Sequence, residues 1–248
     1  MKYRRLQTAA LLFLSPAILR AEELEGGASL FDLLRQGGWA MWPLGFLSLA
    51  FFFLLFHCWQ QTGLKRFTDP VFVRDIREPL AARDLPAAQK LADSQTHTLA
   101  RLFAAALPRA RANQPDARRA AVEEAFAEHA EAEDNSVGQW INYLNVVASV
   151  APMVGLLGTV SGMIGAFQKI GQAGMGRPEE LAGNIGEALI TTATGLVIGI
   201  PAMIAYFYFR NRLNNRMVRI HQEGADLIET LADAPPVKPP AKATAGPS

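Results

Sequence analysis

Residues 188–209, ALITTATGLVIGIPAMIAYFYF, carry no charged side chain. The hydrocarbon core of a bilayer is about 30 Å thick and takes roughly 20 apolar residues as one helix. In lipid every backbone N–H and C=O must be satisfied within the protein, so such a run folds as a helix. Two further runs meet the same requirement. Residues 146–167, VVASVAPMVGLLGTVSGMIGAF, are uncharged, and so are residues 41–59, MWPLGFLSLAFFFLLFHCW, when His57 is neutral. Trp39, Trp42 and Trp59 flank the latter, as in the aromatic belt of a membrane interface. The reading is an all-α membrane protein with three transmembrane helices.

A shorter apolar stretch, residues 8–19, follows Lys2, Arg4 and Arg5 and contains Pro16. It is too short to span and reads as a secretory signal peptide, residues 1–21, with cleavage after Ala21. SLFDLLRQGG then reads as an amphipathic helix on the membrane surface. Ser29 is its cap, Asp32 sits in its first turn, and Gly37 is its stop.

Orientation follows the bias of Lys and Arg toward the cytoplasm. Lys65, Arg66, Arg74 and Arg77 follow the first run, and Arg210, Arg212, Arg216 and Arg219 follow the last. The other side has Arg35, Lys169 and Arg177. The mature N-terminus is therefore expected outside and the C-terminus inside. Residues 60–139 form a cytoplasmic helical domain on this reading. RDLPAAQKLADSQ and HTLARLFAAALPRA are short helices in it. A longer helix opens at Pro115 and Asp116 and continues into the second span as one rod. The Pro-rich tail, residues 233–248, is expected to be disordered.

Catalytic chemistry finds little support. The net charge is +1, with 19% charged residues, so nothing favours nucleic acid. His57, His97, His129 and His221 are scattered, without metal-ligand spacing. The lone Cys58 allows no internal disulfide. GQAGMGRP lacks the Lys-Ser/Thr ending of a phosphate loop and reads as a turn. GTVSG could hold a serine nucleophile, but Ser161 and His57 fall at opposite ends of their spans. No cofactor and no metal are expected, and the chain is not read as an enzyme.

The polar and small residues inside the spans are more informative. Gly155, Gly158, Gly162 and Gly165 line a stripe of the second span, and Gly195 and Gly199 form a small-xxx-small pair in the third. Such residues let helices approach closely in lipid, either within the hairpin or between copies. Pro152 and Pro201 remove helix hydrogen bonds and are candidate kinks. A turn symmetric about Met175 and Gly176 sets Thr159 opposite Thr192, with Glu187 about five residues, or roughly 7–8 Å, further out. An acid at that depth marks a pathway unless it is merely a helix-start acid.

APMVGLLGTVSGMIGAF together with IGEALITTATGLVIGIPAMIAYFYF strongly resembles the two signature spans of the MotA/TolQ/ExbB family of proton channels, over about residues 139–212. LFDLLRQGGWAMWPL extends the likeness loosely to ExbB-type proteins. Three spans and an acid at Glu187 point to the ExbB/TolQ branch.

The resemblance implies a homopentamer around a pore. It also implies an ExbD/TolR-type one-span partner with an intramembrane Asp, and a TonB/TolA-like protein beyond it. Thr159, Thr192 and Glu187 match the pore-facing positions. The implied location is the bacterial inner membrane. The expected order is a periplasmic amphipathic segment (22–40), transmembrane helix 1 (41–59), the cytoplasmic domain (60–139) and transmembrane helix 2 (140–170). A periplasmic turn (171–183), transmembrane helix 3 (184–210), a cytoplasmic extension (211–232) and the tail complete it. The alternatives are a non-conducting membrane scaffold and a small-solute transporter subunit. The signal peptide and the tail are additions to the short ExbB form.

Overall fold

The computed structural model describes residues 38–110, 114–173 and 178–234. The expected signal peptide, nearly all of the expected amphipathic segment, the centre of the hairpin turn and all but the first two residues of the expected tail lie outside the described residues. Among those described, every regular element is helical. In chain order they are α1 (Met41–Gln61), α2 (Leu64–Phe67), α3 (Pro70–Ala81), α4 (Leu85–Asp93), α5 (Thr98–Ala106), a short 3-10 turn (Leu107–Arg109), α6 (Pro115–Ala173) and α7 (Pro178–Ala232).

Three of these, α1, α6 and α7, contain stretches long and apolar enough to cross a membrane. At 59 and 55 residues, α6 and α7 far exceed the span requirement of about 20. Pro152 and Pro201 lie inside α6 and α7, and neither ends its helix. Lipid supplies no competing hydrogen bonds, so a break in the ladder would cost more there than in water.

The chain packs as two units. The larger comprises Pro43–Val154 and the residues from Thr194 onward. Its short helices are set by capping. The Asp69 carboxylate accepts from Val71 N at 3.0 Å, and Pro70 fills the first helical position of α3. Asp84 does the same for α4 through Ala87 N at 3.0 Å. His97 caps α5, its Nδ1 accepting from Ala100 N at 3.2 Å. Each cap of this kind contributes about 1 kcal/mol.

Phe72, Ile76 and Leu80, four residues apart on α3, form one buried stripe. They join a core that includes Phe67, Leu99 and Phe103. On α7, Phe209, Leu213, Met217, Ile220, Gly224, Leu227 and Leu231 recur at three- and four-residue steps, and all are buried. Gly224 belongs to that stripe: a Cβ there would collide with the Phe126 ring of α6.

Polar ties hold the short-helix region to α6 and α7. One Glu133 oxygen accepts from Arg101 Nη2 at 2.7 Å, Thr98 Oγ1 at 3.3 Å and Arg66 Nη2 at 3.4 Å. Thr68 donates to Glu223 at 2.5 Å. Arg118 is buried, and its guanidinium donates to the Leu231 carbonyl at 3.1 Å, satisfying an acceptor in the last turn of α7.

α1 buries Leu44, Phe51, Leu54 and Cys58, while Trp42, Phe46, Phe53 and Phe56 are exposed. An exposed aromatic face suits contact with lipid tails.

Candidate functional site

The smaller unit runs up to Trp42 and includes Gly155–Ala193. It holds Thr159, Glu187 and Thr192, and it is built on close approach of α6 and α7. Gly158 makes that approach possible. A Cβ on Gly158 would stand 2.6 Å from Thr191 Oγ1, 2.8 Å from Thr191 Cβ and 3.0 Å from Ala40 Cβ. Gly162 repeats the arrangement: its Cβ would lie 3.1 Å from Ala188 Cβ and 3.4 Å from the Asn184 carbonyl oxygen. These two glycines therefore serve packing within one chain. Gly165 differs, with nothing within 4 Å of a Cβ. In the larger unit Gly199 sits against the Pro152 ring, 2.7 Å from a Cβ to Pro152 Cγ. Gly155 and Gly195 are buried.

The register is close to the symmetric hairpin expected from sequence. Gly158 faces Thr191 and Gly162 faces Ala188, about one to two residues from the symmetric partners. The hydroxyls are arranged differently from a shared layer. Thr192 Oγ1 donates to the Gly155 carbonyl at 3.1 Å, and Thr191 Oγ1 shares its one proton between Ala188 O at 2.7 Å and that same Gly155 oxygen at 3.2 Å. Thr159 Oγ1 donates to Leu156 O at 2.6 Å in its own helix. The structure thus joins Thr192 to Gly155 and gives Thr159 a separate partner. Sequence reasoning missed Thr191, which is 1% exposed and is the threonine that faces Gly158. At 100° per residue, Thr191 and Thr192 occupy neighbouring sectors of one helix, so spacing alone could not rank them.

Glu187 is half-buried. Its carboxylate lies against Gly38, at the lead-in to α1, where a Cβ would collide with Glu187 Oε1. Gly38 has φ +63°, a left-handed conformation that glycine adopts without steric cost. The next residue, Trp39, donates its indole N–H to Ser161 Oγ at 3.1 Å. Trp39, Ser161, Asn184 and Glu187 wall a cavity of about 180 Å³ over Gly158 and Gly162. The sequence alone places Trp39 in the interfacial belt, and Ser161 and Asn184 carry no sequence signal for this site. Among the described residues, no three His, Cys, Asp or Glu side chains converge as a metal site.

The fold and this site define a class: a helical membrane protein with three membrane-capable helices and a glycine-packed hairpin bearing an acid and hydroxyls. Residues 94–222 match the model of the MotA/TolQ/ExbB proton channel family. The chain belongs to that family.

A Synechocystis protein named "Putative biopolymer transport protein ExbB-like 1" is 33% identical over 181 residues, covering 71% of this chain and 69% of its own. The biopolymer transport protein ExbB of Xanthomonas campestris pv. campestris is 39% identical over 97 residues, covering 39% of this chain. The Tol-Pal system protein TolQ of Haemophilus influenzae is 40% identical over 97 residues, again 39% of this chain. The chain spans 38% of the length of that Xanthomonas ExbB and 41% of that TolQ.

Proposed function

We propose that the chain is an ExbB/TolQ-like subunit of an inner-membrane proton channel that couples the proton-motive force to work in the cell envelope. In this reading five copies surround a pore that holds the helix of an ExbD/TolR-type partner, and a TonB/TolA-like protein receives the work. The mature N-terminus and the hairpin turn face the periplasm, and the larger unit's short helices face the cytoplasm. Thr159, Glu187 and Thr192 are the pore-facing polar groups. The observation that carries the reading is the half-buried acid Glu187 on the apolar hairpin, inside the segment that matches the family. An acid held at membrane depth is costly, and function is the usual reason it is kept.

The test is proton flux per assembled complex, reconstituted with the one-span partner. Thr192→Val and Thr159→Val keep shape and remove the hydroxyl, and both are expected to lower flux steeply while assembly persists. Glu187→Gln is expected to lower it too, and Glu187→Asp to keep part. Full flux in both threonine variants refutes the relay role.

One observation favours a second reading, a non-conducting scaffold. The Thr191 and Thr192 hydroxyls both reach the Gly155 carbonyl, as helix-binding groups would. A scaffold assembles with its partner and passes no protons, so the same assay separates the two. Reporters fused after residues 100, 180 and 220 test the topology, with only the second expected outside.

A further inference from the structure

The cavity beside Glu187 has polar and apolar wall in nearly equal measure, and its volume of about 180 Å³ has room for several waters, each taking about 30 Å³ in the liquid. Among the described residues, two of its wall groups lack a full set of protein partners. Among the described residues the Glu187 carboxylate accepts no hydrogen bond. The Ser161 hydroxyl accepts from Trp39, and its own proton has no protein acceptor among them. A donor without an acceptor and an acceptor without a donor thus face one space, and water completes both. Small residues make the space: the floor is Gly158 and Gly162, and Gly165 also borders it.

We propose that this cavity is a water-filled side vestibule within each subunit, through which Glu187 exchanges its proton with water from the hairpin-turn side. Ser161 is the positioning residue that orders the water, and the Trp39 indole fixes the Ser161 side chain. The transfer balances simply: a hydronium gives a proton to the carboxylate and leaves as water, and the reverse step restores both. The ligand is water and its protonated form; no other cofactor enters. The proposal rests on Glu187 being on the proton route, as argued above.

The test places a thiol in the vestibule of the full complex in membranes. Ser161→Cys, in a Cys58→Ser background, is exposed to a small charged thiol reagent added on the side of the hairpin turn. The reference is Val160→Cys, because Val160 is exposed on the outer, apolar face of the same helix turn. Modification at 161 at least ten times faster than at 160 is the expected result. Equal or slower modification at 161 overturns the proposal, since lipid or a neighbouring chain then fills the space.

Flux is measured in parallel. Ser161→Ala is expected to lower flux per complex severalfold and Ser161→Thr to restore it, a rescue that loss of packing alone would not show. An accessible thiol with full flux in Ser161→Ala overturns the exchange role. Full flux in Glu187→Gln refutes the assignment of Glu187 itself, and the thiol result, which does not depend on flux, tells that failure from a dry cavity.

Discussion

Replacing Gly158 with alanine adds one methyl group where the structure has no room. The new carbon would stand 2.8 Å from Thr191 Cβ and 3.0 Å from Ala40 Cβ, well inside ordinary contact distance. Relief requires α6 and α7 to separate or Thr191 to move, and movement of Thr191 also strains its 3.2 Å bond to the Gly155 carbonyl. Overpacking of this kind costs about 1–3 kcal/mol. Alanine also gains about 1 kcal/mol over glycine in helix propensity, which would mask part of that cost.

The clean quantity is therefore a difference. Gly165→Ala, in the same helix with nothing within 4 Å, carries the propensity gain and none of the clash. The expected gap between Gly158→Ala and Gly165→Ala is about 1–3 kcal/mol. Unfolding by SDS in mixed micelles, followed by far-UV ellipticity, measures it, with Gly45→Ala as a second open-site reference. Gly199→Ala, whose methyl would meet the Pro152 ring, should resemble Gly158→Ala. If Gly158→Ala is as benign as Gly165→Ala, the argument that these glycines bring the hairpin helices together is wrong.

Two further outcomes concern the larger unit. Burial lowers the His97 pKa from its ordinary 6.5, against the opposing pull of Asp69 and Glu223. The folded state thus resists protonation: His97 costs no stability above about pH 6.5, and stability falls as pH drops through and below that value. His97→Asn keeps a capping side chain and removes the titration, so the loss of stability between pH 7.5 and 5.5 in chemical unfolding should be smaller than in the parent. Gly224→Ala drives a methyl into the Phe126 ring and should destabilise by about 1–3 kcal/mol, with Phe126→Leu recovering part of it in the double variant, as thermal unfolding would register.

The long apolar runs were legible because lipid enforces them: charge is absent from residues 146–167 and 188–209, and α6 and α7 carry them. The short helices α4 and α5 were legible as well, since Asp84 with Pro86 and His97 mark their starts in sequence. α3 has no counterpart in the sequence reading, although Asp69 and Pro70 begin it; it carries Pro79 in its interior. Long-range chemistry left no local trace. Trp39 and Ser161 are 122 positions apart, and Arg66 and Glu133 are 67 apart. Glycine spacing announced close packing but could not say which glycines face the sister helix in the same chain. That depends on rotation of each helix about its axis, and a sector of 100° separates Thr191 from Thr192.

The hydroxyl protons of Thr159 and Thr192 are each engaged by a backbone carbonyl, Leu156 O and Gly155 O. What each oxygen still offers is lone pairs. The exposed chemistry of these two side chains is consequently basic in the hydrogen-bonding sense: it welcomes a visitor that brings its own proton and gives an anion nothing to hold. A carboxylic acid in its neutral form is favoured beside them over its conjugate base. In the proposed channel the helix backbone, by taking up the hydroxyl protons, would set which charge state can rest against these threonines, with no ionisable group of its own.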